Sequence, residues 1–81
     1  MPEKKIDTAA NLIPGEKANI VKVSGEARLK RRLLDMGVVR GSVIQMVRHA
    51  PLGDPIDVKI KGYHLSLRKS EARHITIKRI K

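Results

Sequence analysis

The stretch Ile56-Asp57-Val58-Lys59-Ile60-Lys61-Gly62-Tyr63-His64-Leu65-Ser66-Leu67 decides how the rest of the chain is read, because apolar and polar residues alternate on both sides of Lys61-Gly62. A period of two belongs to a strand with one buried and one wet face. With Lys61 and Gly62 as a two-residue turn, Ile60 faces Tyr63, Val58 faces Leu65 and Ile56 faces Leu67, so all six apolar side chains, Tyr63 included, are expected on one inward face. A slip of one residue would carry the second apolar set into water, so the register is encoded here.

Upstream, residues 42–50 read as a strand with Ile44 and Met46 on one face and Val43 and Val47 on the other. Residues 17–23 behave alike, with Ala18 and Ile20 opposed to Val21 and Val23, and both strands are expected to be covered on both faces. Between them Ser24 and Gly25 open a helix over residues 26–36. At about 100° per residue, Leu29, Leu33 and Met36 form its core stripe and Leu34 falls well off it, among Arg28, Lys30, Arg31 and Arg32. Gly37 suits the left-handed position after the last turn, with Val38 folding back on Leu33.

The link from His49 to Pro55 contains Pro51 and Pro55, which fix φ, and Gly53, which permits a positive φ, so it reads as a rigid loop presenting Leu52. At the ends, residues 1–6 are unpatterned and read as a mobile tail. Asp7 or Thr8 caps a short turn that Pro14 and Gly15 end, Ser70 caps a single turn over 71–74, and Ile75 and Ile77 begin a last strand that frays into basic residues. The expected fold is mainly β: a small, bent antiparallel barrel of about five strands with one helix (26–36) and short helical turns, in one domain over residues 7–81.

Composition narrows the function. At 81 residues and 41% hydrophobic, the chain closes a core only if most of its apolar side chains serve it. There is no cysteine, hence no disulfide framework and no thiolate metal site. No apolar run approaches the roughly 18 residues of a membrane-spanning helix, and no signal-peptide pattern opens the chain, so a cytoplasmic location is expected. Eighteen Lys plus Arg against eight Asp plus Glu give a net charge of +10, which calls for an acidic partner: nucleic acid, an anionic membrane surface or an acidic protein. With no Phe, no Trp and a single Tyr, base stacking is disfavoured, and nucleic acid remains only through phosphate contacts.

The glycines are isolated turn residues without GxxxxGK(S/T) or GxGxxG spacing, and Ser24, Ser42, Ser66 and Ser70 each have a turn, cap or strand role. No enzyme, no nucleotide, no cofactor and no small-molecule substrate is indicated. His49, His64, His74, Asp54, Asp57 and Glu71 are the candidate metal ligands. Their spacing provides neither a helical i, i+4 pair nor a short fixed turn, and no intrinsic metal site is expected. The residues that exceed what folding requires are Arg31 and Leu34 on the helix and Leu52, Gly53 and Asp54 in the proline-flanked loop. They are the expected partner-binding set.

The chain also resembles a known family. Leu12, Pro14-Gly15-Glu16, Arg32-Leu33-Leu34-Asp35-Met36-Gly37, Gly41, Ala50-Pro51-Leu52-Gly53-Asp54-Pro55-Ile56, Gly62-Tyr63, Leu65-Ser66-Leu67-Arg68 and Glu71-Ala72 are similar to the ferrous iron transport protein A (FeoA) family. The likeness runs from about Leu12 to Ile77. Arg40 departs from it, standing where the family commonly has a proline before the glycine that is Gly41 here. The resemblance implies an SH3-like barrel with an accessory or regulatory role in bacterial ferrous iron uptake. Its partner would be the large membrane transporter of that system, met at the transporter's cytoplasmic GTPase domain or the membrane-proximal surface nearby. Similar domains are also fused to metal-dependent repressors. The other class the residues allow is a small basic barrel that binds RNA or DNA phosphates.

Overall fold

The computed structural model describes residues 6–80. In chain order these form β1 (Ile6–Thr8), a 3-10 turn (Ala9–Asn11), β2 (Lys17–Val23), α1 (Ala27–Asp35), β3 (Val43–His49), β4 (Ile56–Ile60), β5 (Tyr63–Leu67), α2 (Lys69–Ala72) and β6 (Ile75–Arg79). All six strands join one antiparallel sheet in the order β1-β6-β2-β3-β4-β5. There are thus six strands rather than about five. The expected tail, residues 1–6, lies outside the described residues except for Ile6, which opens β1 opposite Lys78 of β6.

The β4–β5 pairs are Ile60 with Tyr63, Val58 with Leu65 and Ile56 with Leu67, the register that the alternation requires. Lys61 (φ 52°) and Gly62 (φ 83°) close the turn with two positive φ values, whose twist matches that of the flanking strands. Depth is another matter. Val58 and Leu67 are fully buried and Leu65 is half-buried, but Tyr63 is 73% exposed, which corrects its expected inward place. β5 is an edge strand, and among the described residues no strand pairs beyond it to cover the ring. The core is therefore wholly aliphatic, with Ile20, Leu33, Val38, Ile44, Met46, Ile56, Val58, Ile60, Leu67, Ile75 and Ile77 at its centre.

β2 and β3 are not covered on both faces. Against β6, β2 gains one residue between Ile20 and Lys22, and against β4, β3 gains one between Met46 and Arg48. Each extra residue, Val21 and Val47, is a β-bulge that shifts the alternation by one and bends the strand. Ala18, Ile20 and, past the bulge, Val23 therefore share the core face, while Val43 and Val47 stay exposed.

The last strand does not fray at its basic end. Arg79 donates from Nη1 to Asp7 Oδ2 (2.9 Å), from Nε to Glu16 Oε2 (3.1 Å) and from Nη2 to the Asn11 carbonyl (3.0 Å). One guanidinium thus holds β1, the 3-10 turn and the entry to β2 against β6. Asp7 Oδ1 also accepts from the Asn11 amide (2.7 Å) and the Thr8 backbone N–H (2.8 Å). Asn11, then Arg79 and the Thr8 amide, hold the Asp7 carboxyl down from an ordinary 3.8 to about 2. The Ile13 backbone N–H and Arg79 lower Glu16 as well.

Two predictions follow from the packing and the clasp. Val58→Asp should abolish the cooperative thermal transition, since an unpaired buried carboxylate costs several kcal/mol, comparable with the whole stability of a small domain. Leu65→Asp should lower the melting temperature less than Val58→Asp, and Lys59→Asp should leave it nearly unchanged. Because the folded-state pKa of Asp7 lies below its unfolded value, its contribution is complete above 3.8 and disappears as pH falls towards about 2. Thermal melts across that window should fall less steeply for Asp7→Asn than for the parent.

Candidate docking surfaces

α1 is set by its two ends. At the start, Ser24 N–H donates to the His74 carbonyl (2.8 Å), and Gly25 has a positive φ of 105°. A Cβ at Gly25 would lie 3.1 Å from both His74 Nδ1 and Leu29 Cδ2, so glycine allows the helix to start this close to the β6 side. At the finish, Val38 N–H donates to Leu33 O (2.9 Å) and Gly37 N–H to Leu34 O (3.0 Å), the paired bonds of a Schellman end. Leu33 is thereby seated in the core with Leu29 and Met36 beside it.

Leu34 is left outside, 50% exposed. It sits between two open hollows, one of about 270 Å³ shared with Val21, Lys22, Val23, Lys30 and Arg40. The other, of about 380 Å³, is shared with Ala27, Lys30, Arg31 and Asp35. Arg31 and Leu34 thus belong to one surface.

Leu52, Gly53 and Asp54 belong to another. Gly53 N–H donates to Ala50 O (2.7 Å), Ala50 N–H donates to Pro55 O (3.0 Å), and Gly53 takes a φ of +88°. This tight frame holds Leu52 at the tip, 96% exposed. Asp54 already has a task in the fold, because its Oδ1 accepts the Lys69 backbone N–H (2.9 Å) at the start of α2. The N-cap residue of α2 is Arg68 and not Ser70. Acceptors for the helix start come instead from Asp54 and from Glu71, whose Oε1 takes the Arg68 N–H (3.0 Å). Glu71 is buried, and its Oε2 meets Arg32 Nη1 at 3.0 Å. An open cleft of about 360 Å³ between α1, α2 and the loop is lined by Arg32, Asp54, Pro55, Ser66, Arg68 and Glu71.

Arg32 and Leu34 are two positions apart, which sets them about 200° apart around the helix. Arg32 faces the loop, so Leu34 faces away from it, and the five residues expected to bind a partner form two surfaces rather than one. Sequence reasoning passed over Lys22, Lys30 and Arg40. Their only signal was a basic residue close in sequence to the bulge, to the helix or to a turn glycine.

The candidate ligands stay apart. His49 Nε2 lies 3.3 Å from the Leu12 carbonyl, Asp57 pairs with Arg48 (2.9 Å), His64 is exposed on β5, and His74 packs against Gly25. Among the described residues no three His, Asp, Glu or Cys side chains gather to ligate an ion.

Comparison with known proteins supplies the family. The FeoA domain model matches residues 8–79. This chain belongs to the FeoA family. It is 39% identical over 71 residues to a ferrous iron transport protein A/FeoB transporter fusion protein of Porphyromonas gingivalis, covering 88% of this chain and 8% of that protein. The chain therefore spans about a twelfth of the length of that relative. An FeoA-like protein from Clostridium acetobutylicum superposes with a TM-score of 0.87 at 34% identity, covering 100% of this chain and 92% of that one. Stenotrophomonas maltophilia FeoA in complex with zinc, described as a procaryotic SH3 domain protein, superposes with a TM-score of 0.74 at 28% identity over 86% and 87% of the two chains. The fold of this FeoA chain is thus SH3-like, and its family is associated with ferrous iron transport.

Removing the Asp54 carboxylate should loosen the α2 start without unfolding the protein. Asp54→Ala is expected to cost about 1 kcal/mol, as loss of a helix-capping side chain does, and to speed amide hydrogen exchange at Lys69. Leu52→Ser should change neither.

Proposed function

We propose that this FeoA chain, with residues 7–81 acting as one unit, is a cytoplasmic accessory protein of bacterial ferrous iron uptake that docks on the GTPase region of an FeoB-type transporter. The observation that carries this reading is the Porphyromonas gingivalis relative, in which a similar segment and the transporter share one polypeptide. Fusion keeps two modules at high effective concentration, which serves partners that work in contact. No helix among the described residues is long and apolar enough to cross a membrane, so membrane proximity would come through the partner. The absence of phosphate-loop spacing agrees with a non-enzymatic role in which the transporter hydrolyses the nucleotide and carries the iron. Leu34 and Leu52, both exposed on rigid frames, would be the apolar anchors, with Arg31 beside the first and Gly53 and Asp54 setting the second.

The net charge of +10 favours a second reading, a barrel that binds RNA or DNA phosphates. A titration against the transporter's soluble GTPase domain, with structured RNA as control and at two salt concentrations, separates the readings. Docking should persist at high salt better than phosphate binding does. Leu34→Glu and Leu52→Ser should each retain the parental melting temperature while weakening GTPase-domain binding by about 1 to 3 kcal/mol if the leucine is a central anchor. Parental affinity in both variants, or loss of the fold in both, would place docking elsewhere.

A further inference from the structure

We propose that the double hollow around Leu34 binds an acidic peptide segment carrying a large apolar side chain, an inference that rests on the docking reading and names the chemistry of the partner. The first observation is electrostatic. Lys22, Lys30, Arg31 and Arg40 line the hollows, and none of them makes an ion pair among the described residues. Five of the acids are engaged elsewhere: Asp7 and Glu16 with Arg79, Asp57 with Arg48, Glu71 with Arg32, and Asp54 with the Lys69 amide. Asp35, at the rim of one hollow, and Glu26, one helical turn before Lys30 at the N-cap of α1, are the acids left near them, two against four cations. Four cations against these two acids leave a net positive field over the open hollows, which favours an anionic occupant.

The second observation is the floor. Val21 and Leu34 place apolar surface between the cations, and Leu34 is half-exposed rather than covered. A polyphosphate would leave that surface wet, while a bulky apolar side chain flanked by carboxylates uses both floor and rim. Base stacking finds no platform here, since the single aromatic residue, Tyr63, lies on β5 at the far edge of the sheet. A bilayer fits poorly too. Leu34 is half-exposed between two shallow, open hollows, whereas a leucine that enters lipid protrudes, as Leu52 does on its loop.

The test uses the full chain and short fluorescein-labelled peptides, one of glutamates around a central leucine pair and one with serines in place of the leucines. Binding of the leucine peptide is expected, with the serine peptide about tenfold weaker, as for loss of one buried anchor. Leu34→Ser and Lys30→Glu should each weaken the leucine peptide about tenfold, with parental melting curves. Lys59→Glu, the same charge reversal on exposed β4, should leave its affinity unchanged. Equal binding of both peptides, or an equal loss in Lys59→Glu, would overturn the inference in favour of undirected charge attraction. So would tighter binding of structured RNA or phosphatidylserine vesicles that Lys30→Glu abolishes. A GTPase domain that binds parent and Lys30→Glu alike would overturn the inference while leaving docking intact. The expected peptide pattern without any GTPase-domain binding would uphold the chemistry of the hollow and overturn the docking reading instead.

Discussion

Because Lys61 and Gly62 close the β4–β5 turn with both φ angles positive, Ile56, Val58 and Ile60 are committed to one face, and their neighbours must match it. Ile44 and Met46 stand opposite Ile60 and Val58, so β3 inherits its inward face from the hairpin. Each bulge then lets a strand bend around the core without exposing it. Val47 takes up the extra residue in β3, and Val21 does so in β2, after which Val23 returns to the inside. An aliphatic core without a single ring has little volume to lose, so the large apolar side chains left outside it need a reason. Val43 and Val47 have one in the bulged geometry of β3. Leu34 and Leu52 have none within the fold.

The acids are distributed with the same economy. Asp7 and Glu16 gather on Arg79, across 72 and 63 residues of sequence, and fasten the two ends of the chain. Glu71 is the one buried acid of the described residues, and it is acceptable there because both oxygens are occupied, one by the Arg68 amide and one by Arg32. With five acids placed at junctions, Lys22, Lys30, Arg31 and Arg40 make no ion pair among the described residues.

Much of this was legible in the sequence. Alternation gave the hairpin pairing, the Leu29-Leu33-Met36 stripe gave the helix face, Gly37 gave its end and Gly53 the loop turn, since each is a local rule acting over a few residues. What escaped depends on contacts between distant segments. The Ile6–Thr8 strand has too few residues to show a period, and its cause is an arginine near the other end of the chain. Tyr63 has the right face but the wrong depth, because alternation reports side and not what lies beyond an edge strand. The bulges looked like strands covered on both faces, because one inserted residue and a two-faced pattern produce the same string of letters. At the candidate surfaces, exposure of Leu34 and Leu52 and the helix cations beside Leu34 were readable, but the bond from Asp54 to Lys69 and the approach of Lys22 and Arg40 to Leu34 were not.

The Leu34 and Leu52 surfaces are connected through the fold. They lie on opposite flanks of α1, and a continuous set of polar contacts joins them: Leu52 adjoins Gly53 and Asp54, Asp54 holds the α2 start, Glu71 of α2 holds Arg32, and Arg32 is on the same short helix as Leu34. Charge-assisted contacts at 2.9 to 3.0 Å keep the loop and the helix at a set separation. One small partner cannot reach both leucines at once. If both leucines are anchors, as proposed above, either a larger partner would wrap the domain around the α1 side or the two surfaces would receive different segments. In either case the barrel would serve as a spacer whose ordering costs are met in folding, leaving little to be lost on binding.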